Sequence, residues 1–245
     1  MSRHWDEVER NREIWMQKPV LRQIYRGFYT AIAERVSVDL PGAIVEIGSG
    51  IGGIREVLPQ CILTDIFPRP WLDRVENAYR LSFERESVSH VILFDVFHHL
   101  RYPGAAMDEF RRVLVGGGRV ILFEPYMSLL GLLVYGLAHH EAVSVLQRIE
   151  WRPPNSWEPP SDDYYAAQGN ATRVFERRTY QKWLSGWSLV EKRRTAELAY
   201  VASGGYSKPQ LFPDRWLPRI RRWEKGLDRW PRLFATRFLV VLEKS

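Results

Sequence analysis

The sequence has little cysteine and no long apolar segment. Cys61 is the single cysteine among 245 residues, so the chain cannot close an internal disulfide, which favours a reducing compartment. The longest apolar stretch, residues 126–138, is shorter than the ~20 residues that a membrane-spanning helix needs. The N-terminus is charged and lacks the apolar region of a secretory signal. Together these absences predict a cytoplasmic protein.

Internal repeats and low-complexity tracts are also missing. A chain of this length with 45% hydrophobic residues can bury one sizeable core, which predicts a single domain. The formal charge is +6 and the sequence pI is about 9.5. This positive net charge is compatible with an acidic partner, such as nucleic acid, an anionic lipid surface or a phosphorylated substrate. Charge alone does not distinguish these three classes of partner.

A strand-like run that breaks into glycines is the most informative feature present. Residues 45–53 read VEIGSGIGG. Glycine lets the backbone pass close to a ligand, and a following helix would offer free N–H groups, so we expect a nucleotide-type cofactor here. The glycine spacing differs from the Gly-x-Gly-x-x-Gly of dinucleotide sites. A second apolar run ends at Asp65, about 20 residues further along the chain, where a carboxylate suits the hydroxyls of a ribose.

Two further apolar runs predict buried strands that end at polar side chains. Residues 91–95 end at Asp95 and are followed by His98 and His99, and residues 119–124 end at Glu124. The segment between them is amphipathic and predicts a helix that Gly116, Gly117 and Gly118 close. The apolar face of this predicted helix holds Ala106, Phe110, Val113 and Leu114. The repeated order of strand, helix and strand predicts an α/β sheet.

These segments resemble the S-adenosylmethionine-dependent methyltransferases with the Rossmann-like fold. The motifs are EIGSGIGG (46–53), LTDI (63–66), ENAYRLSF (76–83), FDVFHHL (94–100) and FRRVLVGGGRVILFEP (110–125). The resemblance implies a doubly wound, seven-stranded, mostly parallel sheet with an antiparallel last strand, N-terminal helices and a lid inserted after strand 5. Residues 187–192 and 238–244 look like its last two strands.

The resemblance also implies the cofactor S-adenosylmethionine and the residues that hold it. Glu46 and the glycine-loop backbone would hold the methionine part, Asp65 the ribose and Ile66 one face of the adenine. Asn77 stands where many relatives place an aspartate for the adenine amino group. An amide oxygen also accepts hydrogen bonds. The implied cofactor-binding residues are Glu46, Gly48, Ser49, Gly50, Gly52, Asp65, Ile66, Asn77, Ala78 and Asp95.

Methyl transfer from a sulfonium needs mainly a nucleophile held in line with the methyl group. If the acceptor is a hydroxyl, a general base helps. The candidates are His98, His99 and Glu124, and at most one histidine of the doublet is expected to be functional; capping or packing is the alternative for both. His139, His140 and Glu141 lack a third ligand at a telling spacing, so no metal site is predicted.

Within the single domain the sequence suggests four parts. These are a helical lead (1–40), a cofactor-binding half (41–125), a lid insertion (126–179) and a C-terminal part (180–245). The lid's apolar side chains favour an acceptor with an apolar portion, although a lid's own core has the same composition. The side chains in question are Leu129, Leu130, Leu132, Leu133, Trp151 and Trp157.

The C-terminal part contains an apolar stripe among basic residues. Residues 214–232 hold seven basic and three acidic side chains. Such a stripe is usually a helix packed on its own domain; the alternative is a helix on the inner face of a membrane, where tryptophan and arginine suit the headgroup boundary. The stripe consists of Trp216, Ile220, Trp223, Leu227 and Trp230.

The sequence therefore predicts a methyltransferase of bacterial biosynthesis. We expect it to act on a small-molecule, sugar or lipid-linked acceptor, with oxygen as the methylated atom. A nucleic-acid methyltransferase is one alternative. It is disfavoured because strand 4 ends in Asp-Val-Phe-His rather than in the Asn/Asp-Pro-Pro-aromatic motif used on base amines, and because no RNA-binding module is evident. A cofactor-binding scaffold without turnover is the other alternative.

Overall fold

The computed structural model describes residues 3–138, 143–159 and 165–245. These residues form a seven-stranded sheet in the order β3-β2-β1-β4-β5-β7-β6. Strands β1 to β5 are parallel, and β7 lies antiparallel between β5 and β6. The predicted α/β fold class is confirmed. The strands are β1 Ala43–Ile47, β2 Ile62–Asp65, β3 Arg74–Val75, β4 Val88–Phe94, β5 Leu114–Pro125, β6 Trp187–Thr195 and β7 Arg237–Lys244.

The predicted helical lead is present as two helices that precede the sheet. Pro19 occupies the first turn of the second, where a missing N–H costs nothing. The apolar face of that helix, which includes Leu21, Ile24 and Phe28, is buried. The helices are α1 Arg3–Gln17, α2 Pro19–Ala33, α3 Pro103–Val113, α4 Leu129–Ala138, α5 Asn170–Glu176, α6 Leu198–Ser203, α7 Leu217–Leu227 and α8 Pro231–Phe234.

The helix expected directly after the glycine loop is absent. Gly53–Glu56 forms a single 3-10 turn, and β2 begins at Ile62. The connection is too short for a packed helix, and Pro59 lies inside it. The N-terminal lead takes over the covering role, because α2 packs against this turn and against the sheet. Among the first five strands, a helical connection occurs only between β4 and β5 in the described chain.

The triple glycine does not separate α3 from its following strand as the sequence suggested. Leu114, assigned from the sequence to the apolar face of the helix, is the first residue of β5, and Gly116, Gly117 and Gly118 lie within that strand. Ala106, Phe110 and Val113 are buried on α3 as predicted. The extended backbone at Leu114 ends the helix one residue earlier than the apolar pattern indicated.

Two apolar layers enclose the sheet. Helices α3 and α5 cover one face, while α2, α6 and α7 cover the other. Cys61 is buried in the second layer, as predicted for a core thiol. The region after β5 contains α4 and α5, and α4 packs against α8. In the part of the chain that the structure describes, every helix is too short or too polar to cross a bilayer.

Candidate functional site

The glycine loop follows β1 at the carboxyl edge of the sheet. Gly48, Gly50 and Gly52 all have positive φ, at 69°, 50° and 74°. A Cβ on Gly48 would lie 2.6 Å from a methyl group of Val96, so glycine is required there by packing. A Cβ on Gly50 would meet nothing within 4 Å. The loop therefore leaves open space at Gly50, where a ligand can approach the backbone.

Glu46 lies at the start of this loop and is almost completely buried. Its Oε2 atom has no hydrogen-bond partner in the described structure. Burial raises the pKa of Glu46 to about 8, because the charged form loses its hydration. An orphaned carboxylate oxygen in a buried position fits a cationic or N–H donor of a ligand, such as the ammonium group of the cofactor's methionine part. The site therefore fits S-adenosylmethionine.

Asp65, at the end of β2, holds the glycine loop in place. Its Oδ2 accepts a hydrogen bond of 3.1 Å from the Gly50 N–H. From the other side, the Trp71 indole N–H donates to the Gly50 carbonyl at 2.8 Å. A carboxylate has about four acceptor positions, so Asp65 retains capacity for ribose hydroxyls. No local pattern marks Trp71, because its partner is a backbone atom 21 residues away.

Helix α1 closes over this loop through two contacts. Arg69 Nη1 donates to Glu9 Oε1 at 2.9 Å, and the Arg12 guanidinium lies 4.2 Å from the centre of the Trp71 ring. Both contacts join α1 to the segment after β2. The helical lead thus lies beside the glycine loop and contributes to the lining of its cavity.

The predicted adenine-contacting residues lie apart from the cavity at the glycine loop. Asn77 Oδ1 accepts a 3.0 Å hydrogen bond from the Tyr79 N–H, which forms a local turn. Ala78 packs in the apolar core, and Ile66 is half-buried. These three residues do not line the cavity that contains Gly48, Ser49 and Gly50, and neither do Glu46, Gly52 and Asp65. Their roles toward the cofactor remain predictions.

His98 and Glu124 form a buried pair between β4 and β5. Glu124 Oε2 lies 2.7 Å from His98 Nδ1, and Glu124 Oε1 accepts from the N–H groups of Val96 and Phe97 at 2.8 and 2.7 Å. A carboxylate in this position favours the tautomer with the proton on Nδ1. The arrangement fixes the ring and leaves Nε2 as the basic nitrogen.

The two histidines of the doublet have different partners. His99 Nδ1 donates to the Tyr165 carbonyl at 2.8 Å, which anchors the segment that returns from the lid. The two rings are in contact, with centres 4.1 Å apart. Both histidines line the cavity at the glycine loop, and His98 pairs with the Glu124 carboxylate.

An ion pair between Arg237 and Asp95 lines the same cavity. Arg237, on β7, pairs with Asp95, which follows β4 with a φ of 56°. Burial alone lowers the pKa of Arg237, but Asp95 and neighbouring tyrosines raise it above its usual value, so the guanidinium stays charged. The Arg237 guanidinium lies 4.5 Å from the Tyr200 ring centre. Sequence reasoning missed Arg237, because no local pattern marks a residue 142 positions from its partner.

A second cavity, of about 560 Å³, adjoins the first. The two cavities share Tyr135, Tyr200 and Tyr206 among their lining residues. These tyrosine side chains therefore lie between the glycine loop and the second cavity. Lys18 Nζ donates to the carbonyls of Ser203, Gly205 and Lys208, which fixes the loop that forms one wall.

The lid residues that suggested an apolar acceptor do not line either cavity. Leu129, Leu132 and Leu133 point to solvent. Trp151 stacks on Trp183, and Trp157 packs against Tyr79 and Tyr102. These residues therefore lend no support to an apolar acceptor, which remains a prediction. Among the described side chains of α4, Val134 and Tyr135 line a cavity.

Metal-binding clusters are absent from the residues that the structure describes, namely 3–138, 143–159 and 165–245. His139, His140 and Glu141, considered above as metal ligands, lie outside these ranges. The prediction of no metal site at these three residues therefore remains a prediction.

Comparison with known proteins identifies the domain. The profile of the family described as "Methyltransferase domain" matches residues 45–122. No curated protein matches the chain. A S-adenosylmethionine-dependent methyltransferase of Thermotoga maritima, a possible histamine N-methyltransferase, is 14% identical, with a TM-score of 0.58 over 98% of this chain and 100% of that one.

Two other solved structures have the same fold. Geranyl diphosphate C-methyltransferase of Streptomyces coelicolor A3(2), in complex with S-adenosyl-L-homocysteine, is 10% identical, with a TM-score of 0.54 over 90% of this chain and 79% of that one. A chain from the Haloferax volcanii complex of a methyltransferase and its activator Trm112 is 17% identical, with a TM-score of 0.52 and coverage of 95% and 92%. Residues 45–122 thus match the methyltransferase-domain family, and the chain has the Rossmann-like fold of the S-adenosylmethionine-dependent methyltransferases that it resembles.

Proposed function

We propose that this enzyme transfers a methyl group from S-adenosylmethionine to a hydroxyl of a small-molecule acceptor. The observation that carries the proposal is that one cavity is lined by Gly48, Ser49 and Gly50 and also by His98. A cofactor placed on the glycine loop and the His98 base would then lie in one cavity. We assign the acceptor to the adjoining second cavity of about 560 Å³, called the acceptor cavity below. We further propose that the acceptor is a sugar or lipid-linked intermediate in the cytoplasm.

The cofactor supplies an electrophilic methyl group that its sulfonium already activates. Glu46 would accept hydrogen bonds from the methionine ammonium, the glycine loop would offer backbone N–H groups, and Asp65 would accept from the ribose hydroxyls. Asp95, Ile66, Asn77 and Ala78 complete the proposed cofactor set. What remains for the chain is to orient the acceptor and to remove its proton.

His98 is the base that the geometry favours. Glu124 keeps the proton on Nδ1 and stabilises the imidazolium that forms when Nε2 takes the acceptor's proton. Glu124 itself already receives two backbone N–H groups, so we assign it to positioning rather than to proton transfer. His99 is held by the Tyr165 carbonyl and serves as packing for the His98 ring.

The acceptor cavity has a polar, aromatic lining that suits a hydroxylated compound. Burial raises the pKa of Tyr206 well above its usual value, so this phenol is neutral and can donate a hydrogen bond. Arg10 and Lys208 lie at the outer cavity together with Glu7. Faces of Tyr135 and Tyr200 suit a sugar ring, and the two cations suit a phosphate group further out.

The first experiment measures cofactor binding and turnover separately. Purified protein is titrated calorimetrically with S-adenosylmethionine, and extract fractions are screened with a radiolabelled methyl donor. In His98→Ala we expect cofactor affinity within about twofold of wild type and kcat lower by roughly 10²–10⁴. Unchanged turnover in this variant would remove His98 as the base, and an absence of cofactor binding in wild type would overturn the whole proposal.

Glu124→Gln is the matched test of the positioning role. The amide oxygen can still accept from Val96 and Phe97, but the amide NH2 would face Nδ1 and favour the wrong histidine tautomer. We expect a folded protein that binds the cofactor, with kcat lower by roughly 10²–10⁴ and an altered pH profile. A variant with the wild-type pH profile would show that Glu124 only supports the loop.

A further inference from the structure

We infer that the surface formed by α4 and α8, together with the basic segment 214–232 that leads into α8, binds an anionic lipid bilayer. On α4, Leu129, Leu132 and Leu133 are 67%, 38% and 57% exposed. They are spaced at i, i+3 and i+4, so they occupy one face of the helix, and Gly136 continues that face. No residue of α4 is charged. A solvent-facing stripe of this kind has no role in the fold of the described chain.

Helix α8 extends the apolar stripe and adds aromatic side chains. It packs against α4, and the Ser128 hydroxyl donates to the Leu233 carbonyl at 3.3 Å. Leu233 and Trp230 are themselves exposed. Before α8, in the segment of residues 214–232, Trp216 is exposed and Trp223 is 73% exposed. Tryptophan is favoured at the headgroup boundary, and leucine in the acyl region directly below it.

Charge on this surface is almost purely basic, although the sequence of residues 214–232 also contains three acids. Glu224 is buried and accepts from the Ala199 N–H at 2.9 Å, and Asp228 accepts from the Ala196 N–H at 2.8 Å. Both carboxylates therefore face the N-terminus of α6 rather than the solvent. Asp214 accepts from the Gln210 side chain. The acids thus neutralise little of the outward charge.

The basic side chains of the segment point outward. Arg221 is the exception, since it donates to the Gln23 carbonyl on α2. The remaining six are exposed, and none of them forms an ion pair with another described residue: Arg215, Arg219, Arg222, Lys225, Arg229 and Arg232. Basic residues near a bilayer surface each contribute about 1 kcal/mol with anionic lipids.

An anionic bilayer accounts for this surface better than a second copy of the chain or a nucleic acid. A symmetric dimer through the surface would bring two sets of exposed arginines together in a chain whose formal charge is +6. A nucleic acid would use the arginines but would leave the leucine stripe of α4 in water. A bilayer accepts leucines, tryptophans and arginines together, each at its own depth.

Membrane contact would also place the acceptor cavity near the lipid. Val134 and Tyr135 lie on the same helix as the leucine stripe and line the cavity of about 560 Å³. A lipid-linked acceptor could then enter without crossing the solvent. This consequence rests on the proposed function, whereas the membrane contact does not.

The test is vesicle flotation of the full chain. Vesicles consist of phosphatidylcholine alone or with about one third phosphatidylglycerol, at low and at high salt. We expect binding only with the anionic lipid, weakened by salt. The double variant L129S/L133S removes the apolar stripe, and R229E/R232E reverses the adjacent charge. Each should lower the partition coefficient by about tenfold or more.

Matched controls use exposed residues elsewhere on the fold. Leu189 lies on β6 away from the Thr195 end that pairs with the start of β7 beside α8, and Arg85 precedes β4, so L189S and R85E should bind vesicles as wild type does. Calorimetric cofactor binding should be the same in all five proteins, which separates a membrane defect from misfolding. Wild-type protein that fails to float with anionic vesicles, or an L129S/L133S variant that floats normally, would overturn the inference. A concentration-dependent dimer that L129S/L133S abolishes would overturn it as well.

Discussion

At the scale of single residues, Glu46 links protonation, stability and ligand binding. Its pKa is raised to about 8 by burial, from a model-peptide value near 4.5. The folded protein therefore holds a proton on Glu46 at pH values where the unfolded chain has lost it. Between these two pKa values, a rise in pH lowers the stability of the ligand-free protein. A cofactor ammonium group would instead favour the charged carboxylate.

We predict opposite effects of Glu46→Gln on stability and on binding. Without ligand, the variant should be more stable than wild type at pH 8.5, by an amount on the order of a few kcal/mol, because one pKa unit corresponds to about 1.4 kcal/mol. The difference should shrink as the pH falls toward 5. Its cofactor affinity should be lower at every pH. Urea unfolding and calorimetric titration measure the two quantities.

An equal loss of stability in Glu46→Gln at pH 5 and pH 8.5 would contradict this account of Glu46. Ser49→Ala is the matched comparison, because it leaves a carboxylate at position 46 but removes a side-chain hydrogen bond that lowers the pKa of Glu46. This variant should keep the direction of the wild-type pH dependence and extend it to higher pH.

The sequence indicated the site residues that end strands, and it missed those that arrive from distant parts of the chain. Asp95, His98 and Glu124 follow apolar runs, and parallel strands bring their ends to one edge of the sheet. Tyr200, Tyr206 and Arg237 reach the same cavity from α6, its following loop and β7. Their local sequences look like ordinary core or surface positions, so only the tertiary fold reveals them.

At the scale of elements, the glycine loop combines two different reasons for glycine. A Cβ at Gly48 would overlap Val96, whereas a Cβ at Gly50 would enter open space beside the cavity. Both backbones have positive φ, so alanine costs about 1 kcal/mol at either position. Packing thus explains Gly48, and access for a ligand explains Gly50.

We predict that Gly50→Ala and Gly48→Ala separate these two reasons. Gly50→Ala should lower the free energy of unfolding by about 1 kcal/mol and weaken cofactor binding more than tenfold, because its methyl group occupies ligand space. Gly48→Ala should lose about 2–3 kcal/mol of stability, because Val96 must move. Urea unfolding and calorimetric titration check both. Normal cofactor affinity in Gly50→Ala would place the ligand elsewhere.

Strand positions could be predicted from the sequence better than the connections between them. Buried parallel strands such as β4 and β5 give continuous apolar runs that end at polar residues. The helix expected after the glycine loop was wrong, because the glycine pattern suggested it while Pro59 and the short spacing to Ile62 oppose it. The compensation by α2 depends on packing between residues that lie far apart in sequence.

At the scale of the whole molecule, the N-terminal lead and the C-terminal strands share one core. Ile24 of α2 is buried in the same cluster as Ile92, Leu239 and Val241 from the sheet. The sheet therefore depends on α2 to cover a face that connecting helices cover in other doubly wound folds. A chain built in this way should unfold in a single cooperative step.

We predict that Ile24→Ala destabilises the whole fold by about 2–5 kcal/mol, because the buried side chain leaves a cavity beneath the sheet. Far-ultraviolet and tryptophan-fluorescence transitions should shift together to lower urea concentration. Met16→Ala is the control, since Met16 is 68% exposed and its loss should change stability by less than about 0.5 kcal/mol. Two separated transitions, or an α2 signal that melts before the sheet, would mean that the lead is an independent unit.

The coupling matters for function, because α2 carries Tyr25 and Tyr29 into the cavity at the glycine loop. Loss of α2 packing should therefore weaken cofactor binding and stability together.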